Sequence, residues 1–103
     1  MKPIAIFDLD GTLALIEERR KISTGDNGAF NFDIFFDPKH IALDLPNVPV
    51  IKIAQLLHSD DYNILIFSGR SDRTREATDA WLRQHLVPFE HVYMRKDGDN
   101  TPD

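Results

Sequence analysis

The stretch PIAIFDLDGTLA near the N-terminus restricts the fold more than any other part of the chain. Residues 3–9 form a near-continuous apolar run, the signature of a strand buried in a parallel sheet. The run ends by placing Asp8 and Asp10 two residues apart, followed by Gly11 and Thr12. Residues i and i+2 of a strand share a side, so the two carboxylates are expected to face one small volume. At about 5 Å and an effective dielectric near 20 they repel by roughly 3 kcal/mol. Keeping both ionised calls for a cation or for a division of roles by acidity. Gly11 frees the backbone to turn and admits a close ligand. Asp-Gly is also common in solvated turns. The complete pattern, an apolar strand running into D-x-D-G-T, points instead to phosphoryl-transfer chemistry.

The rest of the chain reads as strand, insert, helix, strand, helix, strand. Residues 14–47 begin polar and Gly/Asn-rich and turn aromatic, which predicts a flap or small cap after the first strand, not a regular crossover helix. VPVIKIAQLLHS predicts a helix, with Pro49 near its start and Val50, Ile53/Ala54 and Leu57 on one face. ILIF predicts a second buried strand. SDRTREATDAWLRQHL is the clearest helix, with Ala77/Thr78, Trp81/Leu82 and His85/Leu86 on one face and Pro88 as its stop. EHVYM predicts a third strand. This order gives an α/β fold, a Rossmann-like parallel sheet with right-handed crossovers. Ligands of such sheets bind beyond the carboxyl ends of the strands. Asp8 and Asp10 lie at that end of the first strand, Ser68, Gly69 and Arg70 at that of the second, and Arg95 at that of the third.

Each of these groups carries two readings. Ser68 offers a hydroxyl, Gly69 a tight turn, and Arg70 a bidentate phosphate donor ahead of a helix N-terminus. Equally, Ser71 or Asp72 can cap that helix with Ser-Gly as an ordinary turn. Spacing alone makes Arg19 and Arg20 solvated flap residues. Asp97, Asp99 and Asp103 form a loose acidic loop without EF-hand spacing. His40, His58, His85 and His91 are scattered and suggest no metal site. Trp81 reads as a core anchor. Phe30, Phe32, Phe35 and Phe36 pack the flap onto the body or stack on a base, with packing the simpler role.

Bulk properties exclude several classes. The chain has 103 residues, enough for one small domain. It has no cysteine, so disulfides and thiolate metal sites are excluded, which suits a cytoplasmic setting. No apolar run approaches the roughly 20 residues a bilayer span needs, and no signal-peptide pattern opens the chain. A net charge of −5 argues against a broad nucleic-acid footprint but leaves room for recognition of one phosphate or a strand end. No P-loop is present, so an ATP-driven kinase is not encoded.

These residues resemble the haloacid-dehalogenase superfamily of phosphohydrolases: DLDGTL is similar to its first motif and FSGR to its second. The likeness narrows to the 3′-phosphatase domain of phage polynucleotide kinase-phosphatases. It is carried by DGTLA with Arg19 eleven residues after Asp8, FD in the insert, DLPNVPVI, SGRSDRTREATDAWL and MRKDGDNTPD, from Ile4 to Asp103. The resemblance implies that Asp8 is a nucleophile forming an aspartyl-phosphate and that Asp10 is the general acid and base. It implies Mg²⁺ held by Asp8 and Asp10, the latter through its main-chain carbonyl. Thr12, Ser68 and Gly69 would bind the phosphoryl group, and Arg19, Arg70 and Arg95 would serve activity or substrate-end binding. Asp103 matches an acid just ahead of a family lysine and would support the site from behind.

The family's lysine and second acidic motif fall beyond Asp103, and no other lysine is read at the rim, since Lys39 and Lys52 lie in the insert and on a helix. The chain is therefore expected to be the N-terminal part of a longer domain. The function implied is a Mg²⁺-dependent phosphomonoesterase acting on a nucleic-acid or nucleotide 3′-phosphate, with a kinase or ligase partner in repair and no membrane association. Three alternatives stay open: a small-metabolite or nucleotide phosphatase, a non-catalytic Mg²⁺- or phosphate-binding module, and a phospho-receiver domain.

Overall fold

The structure, a computed structural model, describes residues 1–96. Its centre is a three-stranded parallel sheet in the order β1-β4-β5. Here β1 is Ile4–Asp8, β4 Asn63–Ser71 and β5 His91–Arg95. The register pairs Ile4 with Asn63 and Asp8 with Phe67 across β1 and β4, and Ile66 with Val92 across β4 and β5. Helix α3 (Val48–Ser59) precedes β4 and helix α4 (Arg75–Gln84) follows it. This is the α/β arrangement the sequence predicts.

One face of the sheet is covered and the other is open. Ile66 and Val92 are buried together with Leu9, Leu13, Ile51, Trp81 and Leu82, and Ile64 is buried as well. On the opposite face Ile4, Ile6, Phe67 and Tyr93 are exposed. The expectation of a first strand buried on both faces is therefore corrected: among the described residues β1 is an edge strand with one wet face. On α3 the buried positions are Ile51 and Ala54, while Ile53 faces solvent. Among the described residues no helix is long and apolar enough to cross a membrane.

The insert is a built substructure. Strand β2 (Ala14–Leu15) pairs antiparallel with β3 (Leu45–Pro46), closing its base. Between them lie α1 (Glu17–Ser23), α2 (Phe32–Phe35) and a 3₁₀ turn over Pro38–Leu43. Local chemistry explains each start. Asn31 caps α2 by accepting the N–H groups of Asp33 and Ile34, and Asp37 caps the 3₁₀ turn by accepting that of Lys39. Asn47 precedes α3 but makes no side-chain cap there. Its amide instead donates to the Thr12 carbonyl at 2.8 Å, tying the base of the insert to the D-G-T turn.

The second half departs from prediction at its helix boundaries. β4 runs through Ser68, Gly69 and Arg70 to Ser71, with a register irregularity against β5. A 3₁₀ turn over Asp72–Thr74 follows, with the Ser71 hydroxyl accepting the Arg73 N–H, and α4 begins only at Arg75. The helix N-terminus expected directly behind the S-G-R segment thus lies five residues further on. The predicted helical face also stops early: Thr78, Trp81 and Leu82 are buried, but Leu86 is 73 % exposed. Leu86 lies past the end of α4 with φ 58°, in the left-handed region, so it cannot extend the apolar stripe.

Candidate active site

The D-x-D-G-T segment folds because its glycine accepts a left-handed backbone. Gly11 has φ 82°, and the carbonyl of Leu9 then accepts the N–H groups of Thr12, Leu13 and Ala14 at 3.2, 3.0 and 2.9 Å. Three donors on one carbonyl turn the chain sharply at the end of β1. β1 ends at Asp8. Asp8 and Asp10 have different partners.

Asp8 is exposed, and it lines a cleft of about 510 Å³ with Phe67, Ser68, Gly69, Arg95 and Lys96. Four of the residues singled out in the sequence (Asp8, Ser68, Gly69 and Arg95) therefore meet at the carboxyl ends of three strands. Lys96 corrects the expectation of a rim without lysine. The Ser68 hydroxyl accepts the Arg70 N–H at 3.0 Å, which fixes the turn of the backbone there. A side chain added at Gly69 would meet open space, so this glycine keeps the cleft wide without being sterically required. No residue of the insert lines this cleft.

The Oδ1 of Asp10 accepts from Arg19 Nη2 at 2.9 Å, from Arg70 Nε at 2.9 Å and from Arg70 Nη2 at 2.6 Å. Its Oδ2 has no hydrogen-bond partner among the described residues, and the side chain is 23 % exposed. Both arginine side chains are 0 % exposed. Arg19, expected from spacing to be solvated, sits on the inner side of α1 with its guanidinium 4.2 Å from the centre of the Phe35 ring. Its Nη1 donates to the Phe35 carbonyl, and Arg70 Nη1 donates to the Thr78 hydroxyl on α4. Arg20, the adjacent residue, is exposed as expected.

Asp44 completes this cluster and escaped the sequence reading. It is 2 % exposed, accepts from Arg19 Nε and Nη2 at 3.0 and 3.1 Å, and accepts from Arg70 Nη2 at 2.9 Å. Its carbonyl accepts the Trp81 indole N–H at 3.0 Å, so the core anchor also fixes an acid. Burial pushes the Asp44 carboxyl above its ordinary value, and Arg19 and Arg70 offset part of that rise. The signal that marks it is an acid between Leu43 and Leu45 in an apolar run. Thr12 is half-buried, with its carbonyl held by Asn47, and it does not line the cleft. Asp103, Asp97 and Asp99 lie outside the described residues.

Among the described residues no group of three or more acidic or histidine side chains gathers to hold a metal. Asp8 is nonetheless an exposed carboxylate without a hydrogen-bond partner among those residues. One or two hard oxygens of this kind, completed by water and substrate phosphate, suit Mg²⁺.

The chain matches the family described as the polynucleotide kinase PNKP phosphatase domain, of haloacid-dehalogenase type, over residues 2–103. Two structures of a Pnkp1/Rnl/Hen1 complex, one described as an RNA repair complex, contain similar chains. The first is 25 % identical with a TM-score of 0.76 and is aligned over 97 % of this chain and 28 % of its own. The second is 28 % identical with a TM-score of 0.70, over 99 % of this chain and 31 % of its own. The present chain thus spans less than a third of their length. A crystal structure of a target protein from Vibrio cholerae shares the fold at 24 % identity and a TM-score of 0.58, over 100 % of this chain and 78 % of its own. No curated protein matches.

Proposed function

The chain belongs to the PNKP phosphatase-domain family of the haloacid-dehalogenase type, and from that premise we propose that it carries the catalytic strand of a polynucleotide 3′-phosphatase. The observation that supports this most is the cleft at the strand ends, where the unpartnered Asp8 carboxylate lies among Ser68, Gly69, Arg95 and Lys96. An anion entering there meets two cations, a hydroxyl and a free nucleophile.

The chemistry divides between the two aspartates. An Asp8 carboxylate oxygen attacks phosphorus, and the bond from phosphorus to the 3′ oxygen breaks. That oxygen takes a proton from Asp10 Oδ2 and leaves as the alcohol. A water then gives a proton to Asp10 and attacks the aspartyl-phosphate, releasing inorganic phosphate and restoring Asp8. Arg95 and Ser68 stabilise the transferring oxygens, and Lys96 attracts the entering phosphate. Arg19 and Arg70 act through Asp10, since their donors are engaged with Asp10, Asp44, Thr78 and the Phe35 carbonyl. Asp8, with Asp10, would hold Mg²⁺, which supplies charge neutralisation for an anionic nucleophile approaching an anionic phosphate.

The cleft is not roofed by the insert, and this favours a polymer end over a small metabolite. The similarity to chains of an RNA repair complex supports a strand-break end as substrate and a ligase or kinase as partner. The test is release of phosphate from a 3′-phosphorylated oligonucleotide by the full-length protein, in RNA and DNA versions, with Mg²⁺ or with chelator. Turnover of the 3′-phosphate in preference to a nucleoside monophosphate, lost on chelation, is expected. Preference for the monophosphate would favour a metabolite phosphatase instead.

A further inference from the structure

We propose that Asp44 is a positioning residue for the general acid: it clamps two buried arginines so that Asp10 presents a single free oxygen to the leaving group. This rests on the phosphatase reading above, and it concerns a residue that neither touches the cleft nor belongs to either aspartate motif.

The geometry is a four-residue charge cluster. Arg19 Nη2 reaches Asp10 Oδ1 at 2.9 Å and Asp44 Oδ2 at 3.1 Å. Arg70 Nη2 reaches the same two oxygens at 2.6 and 2.9 Å. Each of these nitrogens therefore bridges the two carboxylates. The remaining guanidinium nitrogens are also engaged: Arg19 Nε on Asp44 and Nη1 on the Phe35 carbonyl, Arg70 Nε on Asp10 and Nη1 on Thr78. Two guanidinium and two carboxyl groups meet in a pocket where both arginines and Asp44 are almost wholly out of water. A guanidinium that swings toward an entering phosphate leaves Asp10 and Asp44 sharing the one buried arginine that stays.

The consequence falls on Asp10. Its Oδ1 is fixed by three N–H groups from two arginines that are themselves fixed by Asp44, while Oδ2 carries none and the side chain remains partly open. Removing the Asp44 charge leaves two cations with one carboxylate between them. They re-centre on Asp10 or reach for the substrate, and Oδ2 loses its defined direction. Proton delivery to the departing alcohol suffers, whereas attack by Asp8 does not. Asp44 is itself held from outside the cluster, through the Trp81 indole and the Ile41 carbonyl, so the clamp is anchored in the core.

The test separates these two steps by leaving group. In the full-length protein, D44N is compared with wild type on a 3′-phosphorylated oligonucleotide, whose alkoxide leaving group needs a proton, and on p-nitrophenyl phosphate, whose phenolate does not. Loss of positioned general-acid help lowers kcat/KM, which reports only the steps through phosphoryl transfer to Asp8, about 10²-fold on the oligonucleotide and less than about threefold on the aryl ester. Thermal melting and circular dichroism establish that the variant is folded. If D44N does not fold, D44E keeps the charge and displaces the clamp by one methylene; the same selective loss, about tenfold, is expected. Equal losses of kcat/KM on both esters in a folded variant, or no loss on either, would overturn the proposal, because a merely structural role cannot distinguish leaving groups. Failure of the wild type on both esters would instead bring down the phosphatase reading and this role with it.

Discussion

Asp8 and Asp10 are separated by one leucine, yet they sit in regions built on opposite electrostatic terms. The cleft around Asp8 is open, with cations at a rim that solvent reaches and a nucleophile left without a partner. The cluster around Asp10 is closed, with two fully buried guanidinia and a second buried carboxylate paired with both. In the open region a charge is available for chemistry and contributes little to stability. In the closed region the same kind of charge is tied into packing, so its loss costs stability as well as rate. The D-x-D motif joins these regimes, and the turn at Gly11 separates them.

The largest effect expected is at the open carboxylate. Asp8→Asn should abolish turnover, by about 10⁶-fold if other covalent nucleophiles are a guide, while stability changes by no more than about 0.5 kcal/mol as for most surface positions. Single-turnover kinetics and thermal melting check both halves. Retention of a few per cent of activity would remove covalent catalysis at Asp8.

Arg70→Met should behave in the opposite way. It leaves Asp10 and Asp44 sharing one arginine in a buried site, at a cost of about 3–5 kcal/mol, read by urea denaturation. If this variant is as stable as Asp8→Asn, the closed region is not the rigid element described here.

Lys96→Ala sharpens the account of the open side. A rim cation near a phosphate is worth about 1 kcal/mol in water-like surroundings, so KM for the 3′-phosphorylated oligonucleotide should rise roughly fivefold with kcat little changed. The difference should shrink at high salt. A fall in kcat with unchanged KM would place Lys96 in the transition state.

The smallest effect concerns Asp44 and pH. Burial raises its carboxyl above the ordinary 3.8, against the pull of Arg19 and Arg70. A raised folded value means that its stabilising contribution is fully present below 3.8 and is lost as pH rises through the folded value. Carboxyl ¹³C titration of Asp44 should give a midpoint above 3.8, and stability should decline across that window. A midpoint below 3.8 would show that the arginines outweigh burial.

Much of this molecule is legible in its residues because the relevant physics is local. The apolar runs of β1, β4 and β5, the α3 segment from Val48 to Ser59, and the need for a turn at Gly11 all follow from periodicity and backbone sterics over a few residues. The family motifs identify the same strand ends, and Ser68, Gly69 and Arg95 reach the cleft with Asp8. What lay beyond such reading depends on contacts distant in sequence. Asp44 meets Arg19 across 25 positions and Arg70 across 26, and nothing near Asp44 announces either partner. Arg19 reads as a surface charge because its neighbours Glu17, Glu18 and Arg20 are exposed, and only packing of α1 against α2 and the 3₁₀ turn buries it. The different pairing of Asp8 and Asp10 is of the same kind. A two-residue spacing sets which side a side chain takes while the strand lasts, and only the tertiary structure decides where the strand ends and which charges wait on the far side of the turn.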